Sequence, residues 1–168
     1  MRYPFAATLG AITLSVTACG SERSVDFETE DGDPGEYTID SETGESSFTI
    51  ATDEGEISMR SGADVPIDLP NGIALMDGAR VMSNTVVNQV DGMGTMITFE
   101  SGSSPEEVVE YYRTQAENAG IEIQIETNMN GGRMIGGESE SGLTMSVIAN
   151  PTEDGSTGQL IVGQSPQD

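Results

Sequence analysis

Apolar and polar residues alternate along most of this chain, and one segment breaks the alternation with a helical period. From residue 37, Tyr37 and Ile39, then Phe48 and Ile50, then Ile57 and Met59 recur at every second position. Glu42-Thr43-Gly44-Glu45 and Asp53-Glu54-Gly55 separate these runs. Period two bounded by glycine-containing turns predicts a small β-meander over 37–61. Residues 62–79 follow as a connector. Its prolines, Pro66 and Pro70, favour extended backbone, and Val65, Ile67 and Leu69 alternate as though along a sheet edge.

Residues 80–164 predict a larger module. Strands are expected at Arg80–Val90 and Thr95–Glu100, parted by Asp91-Gly92. A helix over 104–119 comes next. Ser104 is its N-cap, Pro105 its first residue, and Glu107 completes a Ser-x-x-Glu capping box. Val108, Tyr112, Ala116 and Ala119 share one face, with Val109 beside them, and Gly120 closes the helix. Ile121, Ile123 and Ile125 then alternate with polar residues as a half-buried strand. Further strands are expected at Arg133–Glu138, Leu143–Asn150 and Gln159–Gly163. Strands joined by short turns pair antiparallel, so the expected class is α+β: a mostly antiparallel sheet with one amphipathic helix on a face.

Ahead of the meander the pattern changes twice. Residues 20–36 crowd Asp26, Glu28, Glu30, Asp31, Asp33 and Glu36 around only Val25 and Phe27. Such a stretch predicts a solvated acidic tether over 19–36. Asp31-Gly32-Asp33 lacks the remaining ligands of a calcium loop. Before it, Arg2 precedes an apolar run from Phe5 to Val16. That run is too short for a membrane span, which needs about 20 residues. It has the form of a signal segment over 1–18.

The composition narrows the functions. The chain of 168 residues has 29 acidic and six basic residues, for a formal charge of −23, with no histidine. That charge excludes nucleic acid as a partner, because phosphate binding needs basic patches. An acidic surface suits a saline medium. The lack of histidine removes the usual base for a serine or cysteine nucleophile. No catalytic or metal constellation stands out, and no cofactor is implied. The glycine-rich run 130–137 has no P-loop lysine and predicts two turns around a short strand. Met93 and Met96 could in principle hold copper(I), but core packing is the better expectation.

The only cysteine, Cys19, follows Val16-Thr17-Ala18 and precedes Gly20. This resembles the lipobox of bacterial lipoproteins. The resemblance implies cleavage before Cys19, a diacylglycerol on its sulfur and acylation of its new amino group, which together hold a protein stably on a membrane. Gly20 stands where an aspartate would imply inner-membrane retention, so an outer-membrane anchor facing the periplasm is expected. The downstream module is similar to one found in uncharacterised bacterial envelope lipoproteins and secreted proteins. Leu69-Pro70, Gly78-Ala79, Ser104 to Tyr112 and Ala119-Gly120-Ile121 carry that likeness over residues 66–164, with Met76-Asp77 where Tyr-Pro is common. It implies no activity.

The expected role is a non-enzymatic envelope module that contacts another envelope protein through a sheet edge, near 37–41 or 159–163. The alternative is a small-ligand carrier with a pocket between helix and sheet, lined by Tyr111 and Tyr112.

Overall fold

A computed structural model describes residues 22–90 and 92–165. The lipobox and Cys19 lie outside these residues. The elements follow in the order β1 (Glu22–Glu28), β2 (Pro34–Asp40), β3 (Ser46–Thr52), β4 (Gly55–Gly62), a 3-10 turn (Pro70–Gly72), β5 (Arg80–Gln89), β6 (Gly92–Ser101), α1 (Pro105–Asn118), β7 (Glu122–Met129), β8 (Gly132–Glu138), β9 (Leu143–Thr152) and β10 (Gly155–Gln164). The class is α+β, and the described residues form ten strands in one sheet, ordered β1-β2-β3-β4-β5-β6-β10-β9-β8-β7. Every neighbouring pair is antiparallel.

The helix forms where its signals stand. The Ser104 hydroxyl accepts from the Glu107 amide at 3.3 Å, and the Glu107 carboxylate accepts from the Ser104 amide at 2.8 Å. Pro105, Val108, Val109, Tyr112 and Ala116 are its buried residues. Helix α1 carries the chain from β6 to the far edge of the sheet at β7. The later strands then return toward β6, and β10 closes against it. Beneath the helix, Ile97 and Phe99 of β6, Leu160 and Val162 of β10, and Met145 and Val147 of β9 form a buried core. Each such side chain contributes about 1.5–3 kcal/mol when fully buried.

Several expectations change. The segment 20–36 is not wholly a tether. Strand β1 occupies Glu22–Glu28 and pairs with β2 from Glu22↔Asp40 to Glu28↔Pro34. Its acids Glu22, Asp26 and Glu28 share one face, while Val25 and Phe27 share the other. The charge therefore hides an ordinary alternation. Neither proposed edge is an edge: residues 37–41 fall mainly in β2, between β1 and β3, and 159–163 in β10, between β6 and β9. Among the described residues the edge strands are β1 and β7.

The connector does not run along a sheet edge either. Val65 and Ile73 are buried, and Leu69, Leu75 and Met76 pack on the core beside the helix. A register shift between Ile123 and Ile125 of β7 separates two residues of the supposed single face. Ile125 pairs with Gly136 and is 53% exposed, while Ile121 is buried. Gly136 and Gly137 lie inside β8 rather than in a turn. A Cβ on Gly137 would sit 2.0 Å from the Glu122 carbonyl, which explains the missing side chain. Met93 and Met96 are not core residues: they are 53% and 38% exposed and, three positions apart on a strand, point to opposite faces.

Candidate functional site

The two candidate tyrosines sit where the connector crosses the helix. Tyr112 is fully buried, against Phe99 at 6.1 Å between ring centres and Tyr111 at 5.1 Å. Its hydroxyl accepts from the Met76 amide at 3.2 Å. Burial pushes its pKa up to about 12; the Met76 hydrogen bond opposes that rise and Tyr111 adds to it. The Tyr111 hydroxyl donates to the Leu75 carbonyl at 3.4 Å. One turn on, Gln115 clamps Ala74: its Oε1 accepts from the Ala74 amide at 2.7 Å and its Nε2 donates to the Ala74 carbonyl at 3.0 Å. Residues 74–76 are thus fastened to the helix by three side chains. The sequence offered no signal for Gln115, because its partner lies 41 positions away.

Asn84 plays a related part on β5. It is fully buried, and its Nδ2 donates to the carbonyls of Val65 and Pro66 at 3.2 and 3.0 Å. It thereby pins the start of the connector over the sheet. Asn84, Tyr111, Tyr112 and Gln115 are bracing residues, and neither tyrosine lines either of the hollows described next.

One hollow of about 570 Å³ opens beside the start of the helix, lined by Gly78, Arg80, Glu100, Ser101, Gly102, Thr152, Glu153, Asp154 and Ser156. Three separate turns meet there. Arg80 opens β5 and Glu100 is its cross-strand partner on β6, so the register itself sets up their ion pair. Both side chains are well exposed, and water weakens their attraction. The Ser156 hydroxyl donates to the Ser103 carbonyl at 2.9 Å and ties the β9–β10 turn to the helix entry. The hollow offers one guanidinium, the carboxylates of Glu100, Glu153 and Asp154, and the hydroxyl of Ser101. That donor set can orient a small polar molecule. It contains no nucleophile paired with a base.

A second hollow, also of about 570 Å³, lies at the opposite end of the molecule, between Asp31, Asp33, Asp53 and Glu54 and beside Ile57 and Val90. Asp31-Gly32-Asp33 is the β1–β2 turn, and the Asp33 amide donates to the Thr29 hydroxyl at 3.0 Å. Among the described residues no group of three acidic, histidine or cysteine side chains is placed to hold a metal ion. No helix among them is long and apolar enough to cross a membrane.

The hollow beside Arg80 and the helix both lie in the C-terminal part of the sheet, β5 to β10, and the turns at its end. Residues 80–158 match a START domain-like family. The START-like segment begins on the first residue of β5 and ends within β10, so strands β1 to β4 fall before it. It also contains Tyr111, Tyr112, Gln115 and Asn84. No curated protein and no solved structure matches the chain.

Proposed function

We propose that this protein is a non-enzymatic binding module of the bacterial envelope, acylated on Cys19 and held at the outer membrane facing the periplasm. The reading rests first on the Val16-Thr17-Ala18-Cys19-Gly20 sequence. The start of β1 sharpens it: Cys19 stands three residues before Glu22, so an acylated Cys19 holds the domain within about 10 Å of the bilayer. Two or three acyl chains supply the stability of attachment that one chain does not. Changing Cys19 to Ser tests this. The variant is expected in the soluble fraction while the native chain stays with membranes, and equal fractionation of the two sinks the reading.

The contact surface for another envelope protein is the β7 edge. Its outward backbone groups pair with no other strand among the described residues, and Ile125 and Met129 are 53% and 67% exposed. Strand addition supplies backbone hydrogen bonds at such an edge, and alternate side chains set specificity. A photocrosslinker at Asn128 is expected to capture a partner in intact cells. Absence of any adduct counts against the edge.

The match to a START-like family favours a second reading, a small-ligand carrier. The hollow beside Arg80 and Ser101 then holds a polar ligand in place of the pocket expected at the tyrosines. Native mass spectrometry of gently purified protein separates the readings. A co-purifying small molecule that is lost on Arg80→Ala supports the carrier.

A further inference from the structure

Asparagine is followed by glycine twice in the chain, at Asn71-Gly72 and at Asn130-Gly131. All four residues are exposed and all four are left-handed, with φ of 55° and 75° in the first pair and 53° and 81° in the second. A glycine nitrogen has no neighbouring Cβ to obstruct its approach to the side-chain amide carbon of the residue before it. Attack needs one rotation: the asparagine ψ must turn until that nitrogen reaches Cγ. At Asn71 ψ is 31°, which points the Gly72 nitrogen away from the side chain. How easily each turn opens therefore sets how fast each pair reacts.

The two turns are held differently. Asn130-Gly131 is the two-residue turn of the β7–β8 hairpin, closed by the pairs Met129↔Gly132 and Asn128↔Arg133. Left-handed residues are what such a tight hairpin requires. Its tip rests on β9: a Cβ on Gly131 would touch Pro151 at 3.5 Å, and one on Gly132 would meet the Asn150 side chain at 2.6 Å. Rotation there breaks the end of a strand ladder. Asn71-Gly72 lies outside the sheet, in the 3-10 turn of the strap. The Ile73 amide, donating to the Pro70 carbonyl at 3.2 Å, closes that turn, and a Cβ on Gly72 would find nothing within 4 Å. Opening it costs about one hydrogen bond, so it belongs to the low-stability end of the molecule.

We infer that Asn71 is a site of spontaneous deamidation in the folded protein, that Asn130 is protected from the same reaction, and that the change at Asn71 loosens the strap. The Gly72 nitrogen gives up its proton and bonds to Asn71 Cγ. The bond from Cγ to the side-chain nitrogen breaks, and ammonia leaves with a proton from solvent. Water then opens the resulting five-membered ring. Entry at the side-chain carbonyl leaves aspartate. Entry at the main-chain carbonyl leaves isoaspartate, which routes the backbone through Cβ and Cγ and lengthens it by one carbon. No enzyme, metal or oxidant takes part. The extra carbon falls between Leu69, packed on the core, and Ile73, which is buried. Two positions beyond Gly72, Gln115 clamps Ala74 to the helix with bonds of 2.7 and 3.0 Å. A longer backbone shifts Ile73 and Ala74 out of register with these partners, so the aged chain opens first over the helix.

Ageing of the purified native protein in mildly alkaline buffer, followed by peptide mass spectrometry that separates aspartate from isoaspartate, tests the inference. The peptide containing Asn71 is expected to convert roughly fivefold or more faster than the one containing Asn130. In concentrated urea the two rates should converge, because the turns no longer exist. Hydrogen exchange at the Ala74 and Met76 amides should quicken in the aged native protein. In Asn71→Gln, whose longer side chain cyclises far more slowly, ageing should leave that exchange unchanged. Conversion at Asn130 as fast as at Asn71 in the native state overturns the inference. So does an Asn71 that reacts only in urea, or a rate difference that persists in urea and so owes nothing to the fold. Isoaspartate at 71 with no change in exchange at Ala74 and Met76 overturns the loosening of the strap.

Discussion

The Tyr112 hydroxyl and the Met76 amide meet at 3.2 Å across 36 positions of sequence, and this bond joins the core of the helix to the strap that closes over it. Replacing Tyr112 with Phe leaves the Met76 amide without its acceptor and is expected to cost about 1 kcal/mol in chemical denaturation at neutral pH. The pH dependence carries a sign. The folded pKa lies above the ordinary 10, at about 12, so the folded chain keeps its proton where the unfolded chain loses it. Stability from this group is complete below pH 10 and declines as pH rises toward 12. The gap between native protein and Tyr112→Phe should therefore narrow over that window. An unchanged gap from pH 9 to pH 12 would show that the hydroxyl is not buried.

At the helix entry, Ser104→Ala removes both the hydroxyl that caps the Glu107 amide and one partner of its carboxylate. The expected loss is about 1 kcal/mol at pH 7. The backbone and hydroxyl of Ser104 hold the Glu107 carboxyl below its ordinary value. A lowered pKa contributes stability above the ordinary value of 4.5 and loses it as pH falls through the folded one. Acid titration of Glu107→Gln should show a shallower loss of stability below pH 4.5 than the native chain.

Gly158 lies beneath the buried Phe99 ring, and a Cβ there would stand 2.2 Å from the ring edge. Gly158→Ala should therefore destabilise by about 1–3 kcal/mol through overpacking. Phe99→Leu alone should also destabilise, through lost volume. Combined, the two changes should cost clearly less than their sum, because the smaller side chain frees the space that the methyl needs. Strict additivity in a double-mutant cycle would contradict this contact.

Asn84→Asp tests the strap at its other end. The substitution removes the amide that donates to Val65 and Pro66 and places an acid at a fully buried position. A loss of about 3 kcal/mol or more is expected at pH 7. Burial raises the pKa of such an acid, so the neutral form is tolerated better. The variant should recover part of its stability, relative to the native chain, as pH falls toward 4.

The helix was legible because its signals are local: cap, proline, capping box and apolar face all lie between Ser104 and Gly120. The strand positions were legible for the same reason. Their order was not, because nothing in Gln159–Gly163 says that β10 enters between β6 and β9 rather than lying outside. Strand β1 was obscured by charge; its acids alternate with Val25 and Phe27, and composition outweighed period. At β7, one extra residue at Gln124 undid a correct alternation. The tyrosines were singled out for chemistry, yet their hydroxyls hold the backbone of Leu75 and Met76. Both partners lie 36 positions away, where no spacing argument reaches.

The central position of β10 has a consequence for biogenesis. As the chain emerges N-terminus first, β6 and β9 both exist before the strand that bonds to each of them. Until Gly155–Gln164 arrives, the two halves of the sheet are joined only through the helix, with open backbone rows facing each other across the gap. Completion of the native state therefore waits on the last strand. A holding factor that shields those rows during export is expected to raise the folded yield, and loss of residues 155–164 to leave two separate, protease-sensitive fragments of sheet.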